Sequence, residues 1–412
     1  MRLLHLPAYC FPEQAASGYL SENRNQAFAD AGFKSVAYVP TPTRGISDEE
    51  RARYKKIKRE YRYGGQYEIN RFSMFREGKN PVLRALRYSL CWIKQFNRGL
   101  FAKNIDCIFI ASTPPIQGML GGLLSKIKKT QFVYNLQDIF PDSLVGTGLA
   151  QKGGLLWIIG RKIEDFTYRN AEKIIVISEG FKKNLMAKGV PEEKIVVIYN
   201  WVDEKAVVDI PRPENKLFDR YDLDRNKFYL TYSGNIGLTQ NMDLLLDVMD
   251  DLKSEAPDIR LVLVGDGAYK KQVEEIVRSK NLTNVTMLPF QPYEDISHVF
   301  SLGDASLVIS KPGVGENSVP SKTWSIMSAS RPLLANFDEN ELKDIVSEHR
   351  CGIFTKAGDK DAFKASVLEL YHNPELCREY GRNGRQFVMD HLTKEVGTKK
   401  YVDVIKQFDN ES

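Results

Sequence analysis

Short apolar runs rich in β-branched residues alternate with helix-length segments along the whole chain. Twelve such runs are strand candidates: residues 3–6, 35–38, 106–111, 132–136, 173–178, 194–199, 228–232, 260–264, 284–287, 306–309, 332–335 and 352–354. Continuous apolar strands separated by helices are typical of parallel sheets covered on both faces. The pattern predicts an α/β fold made of two successive Rossmann-like, doubly wound sheets.

The predicted break between the two sheets is a polar stretch, residues 203–226. It contains Pro211 and Pro213 and lacks apolar periodicity. The length of 412 residues also suits two domains. The sequence therefore predicts domains at residues 1–202 and 203–393. The parallel strands of two such sheets end on either side of one cleft, which is the usual ligand site.

Charge is distributed unevenly between the two halves. Residues 1–200 carry 31 basic and 18 acidic side chains, whereas the remainder carries 27 and 35. This asymmetry indicates that the first half meets an anionic partner. The five cysteines lack CxxC spacing, and the five histidines form no HExxH motif. The sequence therefore predicts a cytosolic protein with reduced thiols and no transition-metal site.

Two basic segments of the first half are candidates for that anionic contact. Residues 51–62 are almost purely basic, and residues 81–103 predict a basic amphipathic helix that begins at Pro81. One interpretation is a solvated helix that covers the domain core. The other is a surface that binds anionic lipid headgroups, with no apolar run of about 18 residues to span the bilayer. Nucleic acid is less favoured, because no RNA- or DNA-binding motif is present. The residues predicted to face the membrane are Arg84, Arg87, Trp92, Lys94 and Arg98.

Three motifs of the second half follow predicted strands. The first, Ser-Gly-Asn-Ile-Gly at 233–237, precedes a helix that begins near Asn241, and its glycines allow close approach of a ligand. The second is Gly-Asp-Gly at 265–267, where Asp266 is either a helix N-cap or a ligand contact.

The third motif begins at Lys311 and contains a glycine-rich loop with one acid, Glu316. Pro320 and Ser321 then begin a helix whose first turn holds Lys322. A cation in the first turn opposes the helix dipole unless an anion is bound there. Backbone N–H groups and an ammonium at this point predict a diphosphate site.

The order of these motifs, with Val-Pro-Ser-Lys-Thr-Trp-Ser-Ile-Met-Ser-Ala-Ser-Arg-Pro-Leu-Leu-Ala at 319–335, resembles the nucleotide-binding half of GT-B retaining glycosyltransferases of family four. The first half adds Tyr-Asn-Leu-Gln-Asp-Ile-Phe-Pro-Asp-Ser at 134–143 and Ile-Tyr-Asn-Trp-Val-Asp at 198–203. These resemble a bacterial branch that builds O-antigen and capsule, including N-acetylfucosamine-type transferases.

The resemblance implies the GT-B fold, with residues 394–412 packing back on the first domain. The first domain would bind the acceptor and face the membrane, and the second would bind the donor. The implied donor is a nucleotide sugar, with UDP-sugar favoured, and the acceptor is a polyprenyl-diphosphate-linked saccharide. No cofactor or catalytic metal is implied. The expected location is the cytoplasm, peripheral on the inner face of the cell membrane.

The resemblance also implies roles for individual residues. Glu316 would face the donor sugar hydroxyls and act as a catalytic residue. The implied donor-binding residues are Ser17, Gly18, Gly234, Asn235, Gly237, Gln240, Gly265, Asp266, Gly267, Lys311, Ser321, Lys322 and Ser325.

The chain departs from the family pattern at several of these positions. Ser325 stands where the family has a second acid that grips the ribose. Asn235 replaces the usual arginine, and Gln240 lies near an expected lysine. Many members also have a histidine near the donor, but His5 is the only histidine before residue 298. Asp138 is the candidate for assisting acceptor attack, because it follows an apolar strand, precedes Pro141 and lies where the cleft should open; a turn or capping role is its alternative.

Two other functions use the same architecture. One is a nucleotide-sugar 2-epimerase, which needs several acid and base groups around the sugar and is disfavoured by the scarcity of histidine. The other is a non-catalytic GT-B binding protein, which the missing second acid suggests. Release of nucleoside diphosphate from a donor separates the transferase from the binding protein.

Overall fold

The computed structural model describes residues 1–13, 18–78, 80–146, 151–315 and 319–409. These residues form two compact units, Met1–Tyr199 with Gly397–Ser412 and Asn200–Val396. The chain leaves the first unit after Tyr199 and returns to it after Val396. Each position is three residues from the predicted domain ends, 202 and 393. The strand candidates all lie within strands or overlap them.

The N-terminal unit contains an eight-stranded sheet in the order β3-β4-β2-β1-β5-β6-β7-β8. All pairs are parallel except β3–β4, which is an antiparallel hairpin. The strands are β1 (Arg2–His5), β2 (Lys34–Pro40), β3 (Arg59–Arg62), β4 (Tyr67–Phe72), β5 (Cys107–Ala111), β6 (Gln131–Leu136), β7 (Lys173–Val176) and β8 (Ile195–Val197).

Helices alternate with most of the strands of this unit along the chain. They are α1 (Gly18–Asp30), α2 (Asp48–Lys56), α3 (Pro81–Phe101), α4 (Gln117–Lys128), α5 (Asp142–Gly146), α6 (Leu155–Asn170) and α7 (Glu179–Ala187). Local sequence fixes the start of α3. Asn80 accepts hydrogen bonds from the backbone N–H groups of Val82 and Leu83, and Pro81 occupies the first helical position of α3.

The hairpin β3–β4 was not predicted from the sequence. Its turn contains Gly64 and Gly65, both with positive φ, which is the usual signal for a tight hairpin. The basic segment 51–62 divides between α2 and β3, so it is ordinary secondary structure. Arg51 is buried and donates to the carbonyls of Pro42 and Met74.

The C-terminal unit contains a six-stranded, fully parallel sheet in the order β11-β10-β9-β12-β13-β14. Its strands are β9 (Phe228–Ser233), β10 (Ile259–Val264), β11 (Val285–Leu288), β12 (Ala305–Ile309), β13 (Leu333–Phe337) and β14 (Gly352–Lys356). The strand order reverses between β9 and β12. In doubly wound sheets the ligand binds beyond the carboxyl ends of the strands at such a switch point.

The helices that follow in the chain are α8 (Lys216–Arg220), α9 (Met242–Glu255), α10 (Lys270–Ser279), α11 (Ile296–Phe300), α12 (Lys322–Ser328), α13 (Glu341–Glu348), α14 (Lys360–His372), α15 (Pro374–His391) and α16 (Lys394–Lys406). The core of the C-terminal unit lies where α9 and α14 pack on the central strands, with Tyr232, Met249 and Phe363 fully buried. Residues 397–409 belong to the N-terminal unit, where Tyr401 donates to Asn135 at the end of β6.

Candidate donor site in the C-terminal unit

Two glycine turns pack backbone against backbone where β9 and β10 end. Gly234 has φ 133° and Gly265 has φ 151°, conformations that residues with a Cβ rarely adopt. A Cβ on Gly265 would overlap the carbonyl oxygen of Gly234, and one on Gly267 would overlap that of Ile236. The N–H of Gly234 donates to the Val264 carbonyl at 2.9 Å. The predicted turns therefore form one layer at the edge of the sheet.

Lys322 extends to this layer from the start of α12. Its Nζ lies 3.7 Å from the centroid of the Tyr232 ring, and a Cβ on Gly234 would lie 3.1 Å from the same Nζ. Among the described residues, no carboxylate or hydrogen-bond acceptor contacts Nζ. Burial therefore lowers the pKa of Lys322 to about 7 from its ordinary value of 10.5. Among the described residues, this site therefore holds a half-buried lysine with no anion beside its ammonium.

The predicted helix start is close to the observed one. Ser321 precedes α12 with no side-chain cap, and the N–H of Thr323 donates to the Pro320 carbonyl at 2.9 Å. Ser325 lies on the same short helix, one residue after the buried Trp324. Glu316 and its two successors fall outside the described residues.

Three other predicted donor contacts are engaged by the chain itself. The Gln240 side chain accepts from the N–H of Gly237 at 3.0 Å and closes the first turn. The Asp266 carboxylate accepts from the N–H of Gly267 at 2.9 Å and is 78% exposed. Lys311 lies with Nζ 5.6 Å from the Tyr269 ring centroid. Asn235 lies beside Gln240, because a Cβ on Gly237 would contact both side chains.

The N-terminal unit carries the remaining predicted contacts. Asp138 is exposed and accepts a hydrogen bond from Ser143 Oγ at 3.1 Å, which fits the turn role that the sequence left open. Gly18 is the first residue of α1, and no atom of the described, non-neighbouring residues lies within 4 Å of a Cβ added there. Ser17 lies outside the described residues.

The membrane-facing prediction is wrong for Arg87. Its side chain is fully buried and donates to the Phe75 carbonyl at 3.2 Å and to Thr43 Oγ1 at 3.4 Å. The other four side chains are partly exposed, and each interacts with the chain. Arg84 pairs with Glu77, Trp92 donates to the Ile116 carbonyl, Lys94 donates to the Ser73 carbonyl, and Arg98 lies over the Phe72 ring.

Two family models match successive parts of the chain. The model for glycosyltransferase family 4 matches residues 26–206, and the model for glycosyl transferases group 1 matches residues 213–387. The second matched range contains both glycine turns and Lys322. The chain is a GT-B glycosyltransferase of family four.

Curated relatives and solved structures agree with this family. A glycosyl transferase of Escherichia coli named for colanic acid biosynthesis, WcaI, is 29% identical over 50% of this chain and 51% of its own length. The glycosyltransferase WbjE of Pseudomonas aeruginosa is 24% identical over 73% of both chains. The chain thus spans about half the length of the first of these relatives.

The solved structures show the fold. Sucrose-phosphate synthase of Thermosynechococcus elongatus matches with a TM-score of 0.74 at 15% identity, covering 100% of both chains. HepE of Anabaena, in complex with UDP, matches with a TM-score of 0.72 at 16% identity, covering 99% of this chain and 100% of that one.

In this glycosyltransferase, residues that the sequence analysis missed hold the loop before Glu316. Asp338 follows β13 and accepts from the N–H groups of Gly313 at 2.9 Å and Gly315 at 2.6 Å. Asn340 Nδ2 donates to the Gly315 carbonyl at 2.7 Å. An acid directly after a parallel strand is the signal that could have found Asp338.

We expect Asp338→Asn to lower kcat/KM about tenfold, because an amide accepts only one of the two N–H groups that the carboxylate accepts. The backbone of Gly313 and Gly315 would then be held less firmly, while the fold is kept. Initial rates and thermal unfolding measure the two effects. Glu339→Gln is the matched control, because Glu339 is exposed and its one ion pair within the described residues is with Lys343. A variant with wild-type rates would show that Asp338 does not position the loop.

No group of three or more His, Cys, Asp or Glu side chains within the described residues is placed to hold a metal ion. That the enzyme needs no catalytic metal stays a prediction. In the same described ranges, no helix combines the length and hydropathy needed to cross a bilayer.

Proposed function

We propose that this glycosyltransferase transfers a sugar, an N-acetylated or deoxy hexose, from a UDP-sugar to a polyprenyl-diphosphate-linked saccharide with retention of configuration. The product would be a repeat unit of a bacterial surface polysaccharide such as O-antigen or capsule. The reaction would take place at the cytoplasmic face of the cell membrane, to which the enzyme binds peripherally.

Lys322 is the observation that carries this proposal. Its ammonium lies at the switch point of a parallel sheet, beside two glycine turns, and no carboxylate in the described part of the chain neutralises it. A nucleoside diphosphate supplies the missing negative charge and becomes more negative as the bond to the sugar breaks. A preorganised cation there stabilises the leaving group in the transition state.

The comparisons support the donor and the pathway by similarity. HepE structures are described in complex with UDP and with UDP-glucose, and WcaI is named for colanic acid biosynthesis. In the proposed reaction the bond from sugar C1 to the diphosphate oxygen breaks, and C1 bonds to an acceptor hydroxyl oxygen. The hydroxyl proton passes to a base, for which Asp138 is the candidate.

A donor panel tests the proposal. The purified enzyme is incubated with individual UDP-, GDP- and TDP-sugars and with lipid extract as the acceptor source, and released nucleoside diphosphate is measured. We expect release from a UDP-sugar that depends on the extract, and an NMR spectrum of the product that shows the donor's anomeric configuration. Inversion would refute retention, and absence of release from any donor would refute the transferase.

Asp138→Asn tests the acceptor side. If the carboxylate takes the hydroxyl proton or orients the hydroxyl, we expect transfer to fall at least tenfold with unchanged UDP affinity. Ser143→Ala is the control, because it removes the hydrogen bond that Asp138 accepts and keeps the carboxylate. Equal small losses of stability in both variants, with normal transfer, would assign Asp138 to the turn alone.

A further inference from the structure

Three helices of the N-terminal unit meet at one largely buried lysine, Lys188, which is the C-terminal cap of α7. Its Nζ lies 2.7 Å from Asp142 Oδ2, at the start of α5. The same Nζ lies 3.0 and 3.2 Å from the two carboxylate oxygens of Glu164, on α6. One ammonium therefore links the end of α7 to both α5 and α6.

The acids of this bridge are held in their ionised forms by their partners. Burial disfavours the carboxylate of Asp142, yet the hydrogen bond and the charge of Lys188 lower its pKa below the ordinary value. The Glu164 side chain, 4% exposed, also accepts from the Tyr168 hydroxyl at 2.5 Å and pairs with Arg161. A buried ion network adds little net stability, because desolvation offsets the attraction. What it can do is fix the relative position of the elements that it joins.

Helix α5 needs such a contact. It has only five residues, and helices shorter than about 12–15 residues are marginal on their own. Its backbone is tied to the residues before it, since the N–H of Ser143 donates to the Ile139 carbonyl at 2.9 Å and that of Leu144 to the Pro141 carbonyl at 3.1 Å. A Cβ on Gly160 of α6 would lie 2.8 Å from Pro141 Cβ. The segment thus packs closely against α6.

Asp138 directly precedes this segment. It lines the same small cavity as Glu164, Tyr134 and Tyr168. A general base must lie within about 2.6–3.2 Å of the group whose proton it takes, and a shift of about 1 Å can cost about a hundredfold in rate. The position of Asp138 follows that of α5 through backbone hydrogen bonds, so this connection does not require the Ser143 hydroxyl.

We propose that Lys188 is a positioning residue for the transfer reaction: by joining Asp142 to Glu164, it sets where the Asp138 carboxylate stands. The lysine acts through the segment that follows Asp138 and not as a contact of the substrate. This inference rests on the proposed function, in which Asp138 is the candidate base for the acceptor hydroxyl.

Two variants test this role by kinetics. Lys188→Met should lower the rate at saturating donor about tenfold, with the KM for the donor and the UDP affinity unchanged, because the donor site lies in the C-terminal unit. Asp142→Asn weakens the bridge to α5 while Glu164 keeps its cation, so it is the variant that decides if Lys188→Met unfolds. It should lower the same rate in the same way. A wild-type rate in Asp142→Asn, or a loss of UDP affinity, would overturn the proposal.

A double-mutant cycle separates positioning from a merely structural role. In the Asp138→Asn background, Lys188→Met should lower transfer no further, because the group that it positions is already absent. Losses that multiply in the double variant would show that Lys188 acts independently of Asp138 and would overturn the proposal. Normal transfer by Asp138→Asn alone would also overturn it and would leave the transferase in place.

Hydrogen exchange gives a measurement that needs no donor. The N–H groups of Ser143 and Leu144 should exchange about tenfold faster in Lys188→Met, because α5 loses its bridge. Lys182→Met is the matched control, since Lys182 is also on α7 but pairs with Glu192, in the turn before β8, at 2.7 Å. Its exchange and transfer should match the wild type.

Unchanged exchange in Lys188→Met would overturn the inference and leave the proposed function. Faster exchange in that variant, with no nucleotide release by the wild type from any donor, would refute the proposed function and still identify Lys188 as the support of this segment.

Discussion

Lys322→Met should abolish most of the transferase activity and, at the same time, stabilise the unliganded protein. A charged hydrogen bond to the diphosphate contributes about 1.5–3 kcal/mol to binding, which is roughly 10–150-fold in UDP affinity. Stabilisation of the leaving group adds to this, so we expect kcat/KM to fall about a thousandfold. Titration calorimetry with UDP and initial-rate assays measure the two losses.

The gain in stability has a separate cause. The methionine keeps the apolar stem on the Tyr232 ring and removes an ammonium that burial disfavours. Because the pKa of Lys322 is lowered on folding to about 7, the cost of its charge is fully present below pH 7. That cost fades as pH rises towards 10.5, the ordinary pKa of a lysine. The variant's advantage in Tm should therefore be larger at pH 6 than at pH 9.

The same titration predicts proton uptake on UDP binding. At pH 8 much of the unliganded Lys322 is neutral, and the diphosphate favours the charged form, so binding takes up a proton. Wild-type affinity should fall as pH rises from 7.5 to 9, about tenfold per unit at most. Titration calorimetry in two buffers of different ionisation enthalpy measures the number of protons taken up when UDP binds. An equal count for wild type and Lys322→Met would refute the role of Lys322 at the diphosphate.

The apolar alternation of the sequence predicted the two sheets well, because fully buried parallel strands must be continuous apolar runs. It failed at β3 and β4. The strand Arg59–Arg62 lies at the sheet edge with alternating exposed and half-buried residues, so it has no apolar run to detect. The turn at Gly64 and Gly65 was the available signal.

The candidate site was predictable in its position but less so in its detail. Parallel strands carry their following turns to one edge, so the glycine turns and Lys322 were expected together. The hydrogen bonds that occupy Gln240 and Asp266 depend on backbone angles that residue types alone do not fix. Asp338 was missed because its role is to hold a loop that is distant in sequence.

Helix α3 shows why periodicity alone misplaces a face. The sequence has apolar residues on more than one side of the helix, and the basic residues between them suggested a charged outer surface. The structure buries Arg87 because backbone and hydroxyl oxygens accept its hydrogen bonds. Periodicity finds the stripes, but only the packing partners decide which stripe faces the sheet.

Gly265→Ala should be among the most damaging single changes in the C-terminal unit. The residue has φ 151°, and an added Cβ would overlap the carbonyl oxygen of Gly234, so the two turns must separate. Backbone strain of about 1–3 kcal/mol combines with the steric overlap, and we expect at least about 3 kcal/mol less stability of this unit and no measurable UDP binding.

Gly189→Ala separates strain from overlap. Gly189 also has a positive φ, 84°, but within the described ranges no atom beyond its chain neighbours lies within 4 Å of its added Cβ. That variant should lose only about 1 kcal/mol and bind UDP normally. Denaturant unfolding measures the loss of stability in both variants, and titration calorimetry measures their affinity for UDP. Equal losses of stability in the two variants would mean that conformational strain alone acts at Gly265. A larger loss of stability in Gly265→Ala, together with failed UDP binding, would show that contact between the two turns shapes the donor site.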